Sequence, residues 1–315
     1  MKKFVLTLVL LLGLGLSACK KEDDFGAKDI KVYTRDSASG TREAFFEILG
    51  AKAAAKDNSL LAPSMSEVTG NSDMIAKVKG DKYGIGYISL SSLDGSGLKG
   101  LKVGGVAPTK ANVLNGTYAV KRNFNYMIRS EFATPAEEYL TKAFIAYMTS
   151  VEGLGTIATE GGIVNTDGAQ SWNDVKAGLS EEIKTQLGKD NSAITLKLGG
   201  STSVEKIATA LGREFKAVAG NVNVVNNHTG SGDAYKRTQG KDKDSANALH
   251  IGFLSREVKA SGDEPATAGT YGWLATDAIV VVVNEDNKLV SDVTLELLSK
   301  IFLKENNISK WKEVK

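Results

Sequence analysis

The chain has 315 residues, of which 42% are hydrophobic and 24% charged, with a formal charge of +2. That length suits two domains rather than one and supplies a sizeable core, while the near-neutral balance offers no basic face for nucleic acid. A single cysteine excludes an internal disulfide, and His228 and His250 have no second ligand at metal spacing, so both read as structural histidines and no metal or cofactor is expected.

At the start of the chain, Lys2 and Lys3 precede a mostly apolar run over residues 4–16 that ends in Leu16-Ser17-Ala18-Cys19. The run is too short to span about 30 Å of hydrocarbon but fits a secretory h-region. The pattern resembles a bacterial lipobox. Residues 1–18 are therefore expected to be a signal peptide, and Cys19 the lipidated first residue of an exported protein. Loss of Lys2 and Lys3 takes the charge from +2 to about zero. Residues 19–27 read as a lipid-anchored tether, placing the protein on the outer face of the cytoplasmic membrane or in the periplasm. No later apolar stretch reaches the roughly 18 residues of a membrane span.

From Lys28 onward, short alternating strands and amphipathic helices follow one another with few prolines, which predicts an α/β architecture with largely parallel sheets. Ile30 to Thr34 reads as a strand running into Arg35-Asp36-Ser37-Ala38-Ser39-Gly40-Thr41. A helix follows, with Ala44, Phe45, Ile48 and Leu49 on its inner side and Gly50 as its stop. Further on, Gly95-Ser96-Gly97-Leu98-Lys99-Gly100 matches G-x-G-x-x-G, but extended chain follows it where the dinucleotide fingerprint needs a helix. Residues 165–192 carry Trp172, Val175, Leu179, Ile183 and Leu187 at helical spacing and predict a surface helix. Ile194 to Leu198 predicts a second strand, meeting Gly199-Gly200-Ser201-Thr202-Ser203. Thr202 and Glu205 are spaced as a capping box, before a helix that buries Val204, Ile207, Ala208, Leu211 and Phe215. A third strand, Val222 to Val225, leads to Thr229-Gly230-Ser231-Gly232-Asp233 and a polar helix from Ala234.

Each unit is a strand, a glycine and hydroxyl turn, and a helix N-terminus. Such a turn leaves backbone N–H groups pointing outward with the positive end of a helix dipole behind them, which suits a small tetrahedral anion. Hydroxyls add donors that rotate to fit. Any one of these loops reads equally as an ordinary cap, and even three of them together with Arg35 leave both readings standing. No G-x-x-x-x-G-K-[ST] or G-x-S-x-G occurs, so nucleotide hydrolysis and serine-hydrolase chemistry lack support. Trp172, Trp273 and Trp311 are scattered and predict packing rather than base stacking.

Several segments together resemble the phosphate-binding protein family of the ABC phosphate transporter. They are Thr34-Arg35 with Ser39-Gly40-Thr41-Arg42 and Phe45, Lys82 to Leu90, Gly200 to Val204, Gly230-Ser231-Gly232, Ile251 to Arg256, Ala275 to Val280, and Ile301-Phe302-Leu303 with Trp311. The resemblance covers nearly all of residues 28–315. The order differs: in the family the Gly-Ser-Thr turn leads and the Ser-Gly-Thr-Arg turn follows, so this chain resembles a circular permutant whose new ends fall between Lys315 and Lys28. Residues 165–192 would then bridge the family's usual termini.

The resemblance implies a two-lobed periplasmic-binding-protein type 2 fold. Lobe A would be discontinuous (28–115 and 277–315) and lobe B would be 116–276. Tyr118-Ala119-Val120 and Ile279 to Val282 would cross between them as a two-strand hinge. It implies an anion in the cleft, bound by Arg35, Ser39, Gly40, Thr41, Thr202, Ser203 and Ser231. Ser255 stands where some members carry an aspartate that accepts the proton of hydrogen phosphate. Asp36 and Asp233 are expected to substitute for it, to orient Arg35 or to cap helices. The implied function is a high-affinity receptor for inorganic phosphate that serves an ABC permease, without catalysis and as a monomer. The alternatives are a receptor or sensor for sulfate or molybdate, and an extracellular phosphatase.

Overall fold

The structure, a computed structural model, describes residues 24–259 and 261–314. The expected signal peptide and Cys19, the expected site of lipidation, lie outside the described residues. In chain order the first elements are β1 (Lys31–Arg35), α1 (Gly40–Ile48), β2 (Ser66–Val68), α2 (Gly70–Gly80), β3 (Gly84–Ser89), β4 (Leu98–Gly100), β5 (Lys102–Val103) and α3 (Lys110–Leu114). Next come β6 (Lys121–Ile128), α4 (Pro135–Met148), α5 (Val151–Thr159), α6 (Trp172–Ala177), α7 (Glu181–Leu187), β7 (Thr195–Gly200) and α8 (Glu205–Val218). The last are β8 (Asn223–His228), α9 (Ser231–Thr238), β9 (Ile251–Leu254), β10 (Tyr271–Asn284), β11 (Asp292–Val293) and α10 (Leu295–Phe302).

One sheet of order β2-β1-β3-β10-β6-β9-β7-β8 runs through the whole molecule, with β4 also on β10. Within it β1 pairs in parallel with β2 and β3, and β7 with β8 and β9. The strands between these two sets are antiparallel, so the sheet is mixed rather than largely parallel. The reason is connectivity: strands that carry the chain from one lobe to the other and back run in opposite senses. One crossing is β10 itself, whose first half pairs with β6 and whose second half pairs with β3. The other is the segment before β6, tied to β10 where Ile279 N donates to Val120 O at 2.9 Å.

Two hydrophobic cores flank this junction, as expected of a two-lobed α/β binding protein. The first gathers Val32, Phe45, Tyr87, Val281, Phe302 and Trp311. The second gathers Phe124, Phe144, Leu198, Leu211, Phe215 and Phe253. The helices pack as their patterns predict: Ile207, Ala208, Leu211 and Phe215 make one buried face of α8. Gly50, at φ +73°, turns the chain just past α1.

The segment 165–192 is not one surface helix. Gly178 ends α6 and a new helix starts after Ser180. The break lets Trp172, Ile183 and Leu187 all enter the second core, with Trp172 edge-on to Tyr147 at 5.3 Å. The two ends of the described chain meet: Ile30 N donates to Ser309 O at 2.7 Å and Trp311 N to Lys28 O at 3.2 Å.

Phe215 is fully buried and touches Phe144, Tyr147 and Trp172 ring to ring. Truncation of such a residue costs about 3–5 kcal/mol. Phe215→Ala should lower the urea-unfolding free energy by that amount; a loss below about 1 kcal/mol would contradict this packing.

Candidate anion-binding site

The three strand–turn–helix units end at one place. At the end of β1, Asp36 Oδ1 accepts from Ala38 N at 2.9 Å, bending the chain into Ser39, the N-cap of α1. At the end of β7, Gly200 has φ +98°, and a Cβ there would stand 2.3 Å from Phe253 O, so only glycine fits. At the end of β8, Gly230 (φ +147°) opens the turn into α9, which starts at Ser231 rather than at Ala234. Gly230 N donates to Gly200 O at 2.8 Å, tying the second and third turns together.

Side chains from both lobes converge between these turns. Arg35 Nη2 donates to Thr202 Oγ1 at 2.9 Å. Thr41 Oγ1 and Ser203 Oγ lie 3.1 Å apart, as do Ser231 Oγ and Ser255 Oγ. At Gly40, the first residue of α1, a Cβ would meet Ser231 Oγ at 2.3 Å and Ser255 Oγ at 2.9 Å. The backbones touch too, with Gly232 N donating to Ala38 O at 3.0 Å. The expected capping box is absent: Val204 takes the N-cap position of α8 without a side-chain bond, because Thr202 faces Arg35 instead. Ser39 Oγ spends a lone pair on Arg42 N, as a cap.

Asp36 and Asp233 do not supply a carboxylate to this space. Asp36 holds its own turn; Asp233 accepts from Thr229 Oγ1 at 2.5 Å and pairs with Lys236 at 3.6 Å. Neither caps a helix: Ser39 is the N-cap of α1, and Gly230 that of α9 without a side-chain bond.

Arg35 is the electrostatic centre. It is 2% exposed, and among the described residues no carboxylate lies within ion-pair distance of it. Its Nη1 reaches Asn71 Oδ1 at 3.4 Å, and its Nε has no partner. Burial pushes its guanidinium down to about 10. A buried cation with an unmet donor and several hydroxyls around it is a ready receptor for an oxyanion. A cavity of about 520 Å³, lined by Gly70, Asn71, Thr202, Ser203, His228 and Thr229, opens beside it.

Four further residues shape this space and were not picked out from the sequence. Arg122 Nη2 donates to Ser203 Oγ at 3.2 Å and to Asp277 Oδ2 at 2.9 Å. Ser89 Oγ donates to Asp277 Oδ1 at 2.8 Å, and Asn71 Nδ2 to Ser203 Oγ at 3.3 Å. Asp277 did leave a signal: a lone carboxylate inside the apolar run Leu274 to Val283 must find a buried partner.

A two-lobed α/β binding-protein fold, with hydroxyl, amide and guanidinium groups of both lobes meeting at one place, is the class this fold and site define. The chain belongs to the PBP superfamily, whose PBP-like 2 domain model matches residues 20–152 and 185–315. It is similar to phosphate-binding protein PstS 2 of Streptococcus pneumoniae serotype 4, at 29% identity over 320 residues covering 100% of this chain and 99% of the relative. It is also similar to PstS 2 of Streptococcus agalactiae serotype V, at 28% identity over 297 residues, 93% of this chain and 91% of that one. Among solved structures it resembles a phosphate ABC transporter phosphate-binding protein from Streptococcus pneumoniae TIGR4. There the TM-score is 0.62 at 26% identity, over 91% of this chain and 100% of the other. The first alignment runs end to end, so the order of segments that looks permuted is shared with that relative. The family model skips 153–184, which overlaps the expected bridge.

Neither histidine belongs to a group of three or more His, Cys, Asp or Glu side chains that could hold a metal ion among the described residues. His228 Nδ1 sits 2.9 Å from Ser201 O, and His250 Nδ1 accepts from Lys197 N at 2.9 Å. Burial pushes the His228 imidazole down from 6.5 to about 4. As pH falls, the unfolded chain therefore takes up the proton first. The stabilisation is full above pH 6.5 and is lost as pH drops towards about 4. With the ring partly exposed, it amounts to roughly 2 kcal/mol. Urea unfolding at about pH 7 and pH 4.5 should show wild type losing more stability on acidification than His228→Gln, by roughly that amount; equal losses would count against it.

Proposed function

We propose that this protein is an extracytoplasmic receptor that binds inorganic phosphate with high affinity and delivers it to an ABC permease in the membrane. The observation that carries the reading is Arg35: a buried guanidinium with no carboxylate partner among the described residues, its Nη2 on the Thr202 hydroxyl of the other lobe and its Nε unmet. An anion would compensate its charge, meet its free Nε and accept from Thr41, Thr202 and Ser203. The turn at Ser231 and the N-terminus of α1 at Gly40 would add backbone donors. Three relatives or structures similar to the chain are named phosphate-binding.

Ser255, with Ser231, would supply the hydroxyl oxygen that accepts the proton of hydrogen phosphate. Binding would draw the lobes together, since each contributes donors that the other cannot reach. No reaction is assigned. The hydroxyls facing the site bond one another, backbone amides and guanidinium groups, and none is paired with a general base. The described residues include no helix long and apolar enough to cross a membrane. Attachment is assigned instead to lipid on Cys19, and the working form to a monomer.

Isothermal titration with phosphate, sulfate and molybdate tests the reading. Wild type should prefer phosphate, and Arg35→Ala should lose phosphate binding by at least a hundredfold while the protein stays folded. Gly40→Val should do the same by forcing α1 away from Ser231 and Ser255. Unchanged affinity in both variants would refute the site. Hydrolysis of a generic phosphoester by the wild-type protein would favour the enzyme alternative.

A further inference from the structure

Arg122 and Asp277 face each other in register on β6 and β10, at the point where the chain passes between lobes. Their side chains are 3% and 0% exposed. Asp277 Oδ2 accepts from Arg122 Nε at 3.1 Å and Nη2 at 2.9 Å, and Ser89 fixes its other oxygen from β3. The carboxylate therefore clamps the guanidinium from one side. The remaining donors of Arg122 point to the anion site: Nη1 to Ser255 O and Nη2 to Ser203 Oγ, each at 3.2 Å.

This arrangement has two consequences. Ser203 Oγ accepts from Arg122 Nη2 and from Asn71 Nδ2, which fills both of its lone pairs. Its own proton must then point outward, to Thr41 Oγ1 or to an anion lying between them. In addition, Asp277 cancels the charge of Arg122, so Arg35 is the one uncompensated guanidinium of the site. Burial pushes the Asp277 carboxyl up and the Arg122 guanidinium down, while the pair they form opposes both shifts.

We propose that Asp277 is a specificity-determining residue of this site: by neutralising Arg122 it leaves the site's net charge at that of Arg35 alone, while Arg122 positions Ser203 as a donor. A site with one free positive charge favours a singly charged tetrahedral anion over a doubly charged one. Dihydrogen phosphate meets that condition; sulfate does not. The inference rests on the phosphate-receptor reading above.

The test compares phosphate and sulfate affinities of the full chain by titration calorimetry at about pH 6, where phosphate is mostly singly charged and sulfate keeps both charges. Asp277→Asn frees a second cation and should raise sulfate affinity relative to phosphate by about tenfold. Arg122→Met with Asp277→Leu removes both charges together. That double variant should bind both anions about tenfold more weakly, as Ser203 loses its partner, yet keep the wild-type ratio. A merely structural pair would weaken both anions alike in both variants. An unmoved ratio in a folded Asp277→Asn protein overturns the proposal. If circular dichroism shows that variant unfolded, Asp277→Ser replaces it: a sulfate-to-phosphate affinity ratio raised about tenfold supports the proposal, and an unmoved ratio overturns it. Absence of phosphate binding in the wild-type chain would instead fell the receptor reading, and this inference with it.

Discussion

A positive charge held out of water without a counter-charge is the condition around which this molecule is arranged. Arg35 is buried at the end of a strand, and the groups that reach it are neutral: a threonine hydroxyl and an asparagine oxygen. Withdrawing an unpaired ion from solvent carries an effective penalty of several kcal/mol. The lobes must then be held together by something other than Arg35. One such contact is visible beside the site. Glu43 of α1 pairs with Arg256 and Lys259 of the other lobe, each at 3.2 Å. Burial pushes its carboxyl up, but these two cations prevail and hold it below the usual carboxylate range. Glu43 lies one turn beyond Gly40, so the latch fixes the same helix whose first residues face the anion space.

The continuous sheet explains how two lobes can share one site. Packing lies on either side in two separate cores, and among the described residues the segment before β6 and the middle of β10 carry the chain between them. Asp277 lies in the second of these stretches, and Arg122 stands opposite it at the start of β6. A polar pair at a hinge resists slippage differently from an apolar one, because its bonds hold only in one register. With Ser89 on one side and Ser203 and Ser255 on the other, the pair links the hinge to the site through hydrogen bonds alone.

Much of this was legible in the chain because it depends on local pattern. The strand, glycine turn and helix start at 30–41, 194–215 and 222–238 each announced an element boundary and a donor-rich turn, and all three meet. What was misread shared a different cause. Thr202 and Glu205 have the spacing of a capping box, but Arg35, which lies 167 positions away along the chain, claims the hydroxyl first. The helical spacing from Trp172 to Leu187 is real, yet Gly178 interrupts it so that both halves reach the core. Arg122 and Asp277 are likewise invisible singly, since each gains meaning only from the pairing of β6 with β10. Local propensity is readable at short range; competition for a partner is decided by the fold.

The order of segments has a physical reading of its own. Where the two ends of the described chain meet, Asp29 and Lys310 form an ion pair at 2.8 Å, and backbone bonds join Ile30 to Ser309 and Trp311 to Lys28. Those contacts do the aligning that a peptide bond between the ends would do. Residues 165–192 form α6 and α7 and sink Trp172, Ile183 and Leu187 into the second core. The turns at 35–41, 200–203 and 229–231 are set by the strands and helices they join, so the donors of the site follow from the sheet rather than from either of these regions.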